Sequence, residues 1–220
     1  MTEPPAEGRP GVVVVSYNTR RLTAQLIYSL YRTLRPPEFH LVVVDNGSTD
    51  GSAELLSAVA DAGLCDLIRN LENRYHGPAL NQGMSRLAEL HDSGAVRLTA
   101  VWLVDSDCVV LRPDALSAPR AVMRETGAEA LQRSCAEAGL VAVDFPYTRD
   151  GYVIHVGRGS LRQLLAAGER TNRHYDWATT HHEPHFALEP SAPAAYAAFQ
   201  AAFARDVSTL DGASLVRACR

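Results

Sequence analysis

Val12-Val13-Val14-Val15-Ser16-Tyr17-Asn18, then Leu41-Val42-Val43-Val44-Asp45-Asn46-Gly47-Ser48, then Val101-Trp102-Leu103-Val104-Asp105-Ser106-Asp107: three times a short apolar run breaks off into polar residues. Unbroken apolar runs of this length are the pattern of strands buried on both faces of a parallel sheet. Between the first two, Leu22, Leu26, Ile27, Leu30, Tyr31 and Leu34 recur at helical spacing until Pro36-Pro37 stops them. After the second, Leu55, Leu56 and Val59 mark another helix, capped by one of the Ser, Thr or Asp residues of the turn-rich stretch before it. A weaker strand at Asp66 to Arg69 leads to a helix from about Pro78 to Leu90, and Ala100 to Val104 is the next strand. This βαβαβαβ order predicts an α/β fold with a doubly wound, mostly parallel sheet. Ligands of such sheets bind beyond the carboxyl ends of the strands. Ser16 to Asn18, Asp45 to Ser48 and Asp105 to Asp107 all fall there, so three polar clusters on one rim make a candidate site.

The second half is less regular. Pro113 to Ala138 reads as helical, broken by Pro119 and Gly127, with strands expected at Leu140 to Phe145 and Tyr152 to Val156. Ser160 to Ala167 and about Ala194 to Ala204 read as helices. Thr171 to Pro190 has no period and concentrates His174, Asp176, Trp177, His181, His182, Glu183 and His185. A connection leaving the Ser160 helix is expected to return over the rim. There is no internal repeat and no linker, so one domain is expected over residues 11–220, behind a Pro/Glu-rich disordered tail at 1–10.

Net charge is −4 and the pI about 6.0, which gives no electrostatic case for nucleic acid or an anionic membrane. All 21 basic residues are arginine, which excludes any mechanism that needs a lysine, from the P-loop to a Schiff base. Cys65, Cys108, Cys135 and Cys219 lie far apart with no CxxC pair and read as free thiols. With no secretory leader and no transmembrane-length apolar run, a cytoplasmic protein is expected.

Asp105-Ser106-Asp107 is the sharpest chemical feature. Two carboxylates at a strand end suit Mg²⁺ or Mn²⁺, hard cations that take oxygen ligands and bind nucleotide phosphates at the same time. Such a DxD also reads as a helix or turn cap; its place on the rim with two companion clusters favours the metal. His181-His182-Glu183-Pro184-His185 is a second cluster, and it reads equally as a polar loop or a source of metal ligands. Arg158, in Gly157-Arg158-Gly159-Ser160, reads as an exposed turn residue or as a diphosphate contact.

Taken in order, Val12 to Asn18, Val42 to Ser52, the Asn73 to Gly83 segment with Asn81-Gln82-Gly83, and Val104-Asp105-Ser106-Asp107 resemble family 2 glycosyltransferases of the GT-A fold. The resemblance covers about Val12 to Pro113. It implies a nucleotide-sugar-binding half at 11–113 and an acceptor half at 114–220. It implies a nucleoside diphosphate sugar donor, a divalent metal (Mn²⁺ or Mg²⁺) and transfer to an acceptor hydroxyl, with inversion. On this likeness Ser16, Tyr17 and Asn18 lie against the nucleoside, and Asp45 accepts a hydrogen bond from the base. Tyr17 also reads as core packing and Asp45 as a helix cap, the latter disfavoured by its place directly after the strand. Asn81 and Gly83 let the third helix approach the donor sugar, or simply start that helix. Asp105 and Ser106 face the donor, and Asp107 the metal, with His182 or His185 as an added ligand. The family's base on the acceptor hydroxyl usually comes from an acidic pair near an aromatic residue. Here the match is Tyr175-Asp176-Trp177, so Asp176 is the candidate base, although position 175 is tyrosine. The acceptor is expected to be a soluble small molecule or glycan.

Two rivals remain. A sugar nucleotidyltransferase would need a Gly-rich basic loop after the first strand, where Ser16-Tyr17-Asn18-Thr19 stands. A catalytically degenerate nucleotide-binding or scaffold protein of the same fold is the non-enzyme alternative. Metal-dependent hydrolysis of a nucleotide sugar separates them.

Overall fold

The computed structural model describes residues 8–34, 38–113, 115, 153–155 and 192–220. Strands β1 (Arg9–Ser16), β2 (His40–Asp45), β3 (Asp66–Arg69) and β4 (Leu98–Asp105) form one parallel sheet in the order β3-β2-β1-β4. Helices α1 (Arg20–Thr33), α2 (Ser52–Asp61) and α3 (His76–Asp92) make the crossovers. The expected doubly wound, mostly parallel sheet is what the chain forms.

The valine runs are explained by what lies on each side of them. Val12, Val14 and Val43 pack with Leu26, Ile27 and Leu30 of α1 and with Leu55, Leu56 and Val59 of α2. Val13 and Val42 face the other way, onto Leu87 of α3. Strands covered on both faces have no solvent side to mark with polar residues. Each fully buried valine or leucine stabilises the fold by roughly 1.5–3 kcal/mol.

Two further helices close the α1–α2 side. Helix α4 (Ala192–Asp206) brings Phe199 and Phe203 against Tyr28, with ring centroids 5.7 and 5.4 Å away. Tyr28 donates to Asp206 Oδ2 at 2.6 Å. Helix α5 (Gly212–Cys219) buries Leu215 in the same core. Its start is capped by Asp211, whose Oδ1 accepts from the Ser214 amide at 2.7 Å.

Three boundaries differ from the sequence reading. Strand β1 takes in Arg9 and Pro10, assigned above to the tail, because Arg9 pairs with Leu98 and its amide donates to Arg97 O at 2.9 Å. A short strand β5 (Cys108–Val110) follows the DxD and pairs antiparallel with β6 (Val153–His155), which lies within the expected Tyr152 to Val156 strand. Helix α5 was not anticipated. The strand expected at Leu140 to Phe145 and the helix at Ser160 to Ala167 lie outside the described residues, as does most of Pro113 to Ala138.

Gly83 shows why glycine stands in the middle of α3. A Cβ there would lie 2.3 Å from Val13 Cγ1, so the helix could not rest on β1 at this distance with any larger residue. The close approach that Gly83 permits here is between helix α3 and strand β1.

At the amino ends of the strands, His40 Nε2 meets Asp66 Oδ2 at 2.7 Å, and Arg86 meets Asp66 Oδ1 at 2.9 Å. Burial holds the His40 imidazole below its ordinary 6.5, against the pull of Asp66. Burial pushes Asp66 upward, but the hydrogen bonds from Arg86 and His40 outweigh it and hold the carboxyl below its ordinary 3.8. Both groups therefore bind fewer protons folded than unfolded in their windows, and stability falls as pH falls through them. The melting temperature is expected to drop first below about pH 6.5, as unfolded His40 begins to protonate. His40→Gln should flatten that stage in a pH series of thermal melts. An unchanged profile would remove His40 from the account.

Among the described residues Cys65, Cys108 and Cys219 are free thiols, as expected. Burial pushes Cys65 and Cys219 up to about 12 and Cys108 higher still, so all three are inert protonated side chains at neutral pH. No described helix is long and apolar enough to cross a membrane.

Candidate functional site

The strand order reverses beside β1, which has β2 on one side and β4 on the other. In an open α/β sheet this switch point opens a crevice beyond the carboxyl ends of the two diverging strands. The residues after β1 and β4 are Tyr17 to Thr19 and Ser106-Asp107, and β2 ends alongside on Asp45.

The loop after β1 is tied to the loop after β2. Asn18 sits at φ 51°, a left-handed conformation that asparagine tolerates. Its amide donates to Ser48 Oγ at 3.0 Å, and its Oδ1 accepts from the Thr49 amide at 2.7 Å. Asp50 Oδ2 accepts from the Arg20 amide at the start of α1, while its Oδ1 takes the Ser52 amide at the start of α2. Tyr17 is half-buried between these anchors, and Ser16 has no exposed surface. The Ser16 hydroxyl faces Thr19 and Thr23 at 3.3 and 3.0 Å, inside the fold.

Asp45 ends β2 with 2% of its surface exposed. Burial raises its carboxyl above the usual carboxylate range, against hydrogen bonds from Ser48 and the nearby charge of Arg69. Its Oδ1 is buried and has no hydrogen-bond partner among the described residues. A buried acceptor left in that state costs about 1–3 kcal/mol, more when charged.

An amide network, which the sequence reading did not foresee, fixes the rim beside Asp45. Asn46, 2% exposed, donates from Nδ2 to Asn73 Oδ1 at 2.9 Å and accepts at Oδ1 from Asn70 Nδ2 at 2.9 Å and the Arg74 amide at 3.0 Å. Asn70 and Gln82 exchange a reciprocal pair of bonds at 2.8 and 3.0 Å. Asn70 directly follows the weak strand β3, and that fourth strand end was the available signal. Gly47, at φ 82°, lies under this network: a Cβ there would meet the backbone of Glu72 at 2.7 Å. Asn81 is exposed on α3.

Tyr75, just before α3, has φ 64° and ψ 167°, a region that glycine alone adopts easily, and its side chain is 72% exposed. Asn73 Oδ1 holds its amide at 2.8 Å and Asn46 Nδ2 its carbonyl at 3.3 Å. Tyr75→Gly is expected to stabilise the protein by about 1 kcal/mol, the strain relieved exceeding the entropy that glycine adds to the unfolded chain. Denaturant unfolding measures this, and a loss of stability would show that the ring packs after all.

At the end of β4 the two aspartates differ. The Asp105 side chain is 53% exposed, with His76 Nε2 3.8 Å from its Oδ1, an ion pair only when the imidazole is protonated. Asp107 is 2% exposed. Ser106 between them, expected to face the donor, is 7% exposed and accepts from Thr19 Oγ1 at 3.3 Å. Two carboxylates flanking an anchored turn are a donor set that fits a hard divalent cation. Among the described residues no group of three or more His, Cys, Asp or Glu side chains is placed to hold a metal. Asp176, His182, His185 and Arg158 lie outside the described residues.

The model of the family described as Glycosyl transferase family 2 matches residues 11–132. No curated protein matches the chain. Among solved structures, Staphylococcus aureus TarS 1-349 in complex with UDP-GlcNAc is similar at 23% identity over 53% of this chain and 31% of that one, with a TM-score of 0.42. The mannosyltransferase PcManGT from Pyrobaculum calidifontis, in complex with GDP-Man and Mn²⁺, is similar at 23% identity over 57% of this chain and 35% of its own, with a TM-score of 0.44. The chain thus spans about a third of the length of these structures.

Proposed function

The chain belongs to glycosyl transferase family 2, and from that premise we propose that it moves a sugar from a nucleoside diphosphate sugar to a hydroxyl of a soluble small molecule or glycan, with inversion. The observation that carries the reading is Asp45: a buried carboxylate at the end of β2, beside the switch point, with an acceptor oxygen that no described residue satisfies. An N–H of the nucleobase is the donor that fits it. Tyr17 and the clamped Asn18 shape the wall against which the nucleoside rests.

Asp105 and Asp107 would hold a divalent cation, Mn²⁺ or Mg²⁺. Bound there, it would neutralise the negative charge that grows on the departing diphosphate. The chain's own residues do the rest. Asp107, buried, would fix the position of the cation, while the half-exposed Asp105 would hold it from the side of the donor. The bond from the anomeric carbon to the diphosphate oxygen breaks as the bond to the acceptor oxygen forms, and the acceptor's proton passes to a base on the opposite face. Asp176 is the residue we assign to that base. Arg158 would add a diphosphate contact, and His182 or His185 a further metal ligand. We extend the domain over residues 11–220, with the donor half at 11–113, and place the reaction in the cytoplasm.

Asp45→Asn tests the reading. With Mn²⁺ present, nucleoside diphosphate affinity is expected to fall by about 1 kcal/mol, because the asparagine oxygen still accepts and only the charge assistance is lost. Cation binding should be unchanged. Because burial raises the Asp45 carboxyl, its charge costs stability above the usual carboxylate range, so the ligand-free variant should melt no lower than wild type near pH 7. A variant that melts lower yet binds nucleotide normally would make Asp45 a structural residue and sink the assignment.

A further inference from the structure

Four hydroxyl side chains meet beneath the DxD turn. Ser16, Thr19, Thr23 and Ser106 are 0%, 1%, 0% and 7% exposed. Ser16, Thr19 and Thr23 form a triangle with sides of 3.0 to 3.3 Å, and Thr19 Oγ1 donates to Ser106 Oγ at 3.3 Å. Thr19 is the N-cap of α1, a position where threonine ordinarily bonds the first turn of its own helix. Here it makes no such bond; Asp50 serves the Arg20 amide from another loop, at 2.9 Å. The threonine hydroxyl is thereby released for Ser106. Further along α1, Ser29 Oγ accepts from the Val110 amide at 3.0 Å, and Thr33 Oγ1 donates to Val110 O at 2.9 Å. One helix thus grips the segment from Ser106 to Val110 at both ends with hydroxyl groups, and the two aspartates stand on either side of the first grip.

We propose that Thr19 and Ser106 are positioning residues for the cation site: their hydrogen bond, backed by Ser16 and Thr23, sets the direction in which Asp105 and Asp107 are presented. Buried hydroxyls offer one donor and two acceptors each, so with the Thr19 proton given to Ser106 the contacts among Ser16, Thr19 and Thr23 share the two donors that remain. A turn of Ser106 breaks its bond to Thr19, the side-chain bond that joins the cluster to the DxD turn, and its neighbours on both sides turn with it. The inference rests on the cation-binding role of Asp105 and Asp107 proposed above.

The test measures Mn²⁺ binding directly, by the loss of the free-ion electron paramagnetic resonance signal, in the full-length protein. Thr19→Val keeps the shape and removes the hydroxyl, whereas Thr19→Ser keeps the hydroxyl. Mn²⁺ affinity is expected to fall by about 10- to 100-fold in Thr19→Val, the range for groups that orient metal ligands, and to return in Thr19→Ser. Ser106→Ala should lose as much, and it decides the matter if Thr19→Val fails to fold. A role in stability alone would lower the melting temperature of Thr19→Val and leave Mn²⁺ affinity where it was, which would overturn the proposal. So would a failure of Thr19→Ser to recover binding. A wild-type protein that binds no Mn²⁺ would overturn the cation site and this inference together, whereas wild-type binding that survives Thr19→Val and Ser106→Ala would overturn the positioning role alone.

Discussion

Asp107→Ala is expected to abolish metal-dependent binding of a nucleoside diphosphate and, with it, most of the transfer activity. Without a cation, two aspartates at the end of β4 repel a diphosphate. Asp107 is the aspartate whose position is fixed by burial, at 2% exposure, whereas half of the Asp105 side chain faces solvent. Changes to groups that merely orient a metal ligand cost about 10- to 100-fold in affinity, so losing a ligand should cost about 100-fold or more. Calorimetry with Mn²⁺, with and without excess chelator, reads the effect. Equal nucleotide affinity of the wild-type protein in chelator would show that the carboxylates serve another purpose.

Asp176→Asn should behave differently. An inverting transfer needs a base that takes the acceptor proton as the new bond forms, and this work appears only in the transition state. The amide keeps the size and polarity of the side chain but has little basicity. Turnover is therefore expected to fall by roughly 10²- to 10⁴-fold while donor and Mn²⁺ affinity stay as in wild type. Alanine at His182 or His185 should instead weaken the metal–nucleotide complex if either is a ligand. The two signatures are separable by measuring binding and kcat on the same variants. An Asp176→Asn protein that turns over normally, or one that loses donor affinity, would end the assignment of the base.

The strands were legible because burial on both faces leaves unbroken apolar runs, as in Val12 to Val15 and Leu41 to Val44. Strand β5 was not, since three residues held partly by Ser29 and Thr33 of another element leave no period to read. Helix α5 is only eight residues long, and its Asp211 cap was the one signal on offer. At the site, the strand-end carboxylates stood out because charge is rare beside buried valines. The direction in which Ser106 and Gly83 face could not be read the same way. Ser106 turns inward because a threonine 87 positions earlier offers it a partner. Gly83 lies against Val13 because α3 crosses β1 there. The Asn46, Asn70 and Gln82 network is likewise a matter of partners brought together by folding, each amide being unremarkable in its own stretch of chain.

Leu215 lies fully buried against a core whose other members, Leu26, Leu55 and Leu56, come about 160 to 190 residues earlier. This has a consequence for how the protein is made. At ribosomal rates of about 5–20 residues per second, the α1–α2 side of the sheet waits on the order of 8–30 s for α5 after it has emerged. During that interval the leucines that α5 will cover are open to chaperones, and to neighbouring nascent chains. Yield in cells is therefore expected to depend on how fast the later part of the chain is translated, a pressure on codon choice between α2 and α5 that acts on folding without touching the site.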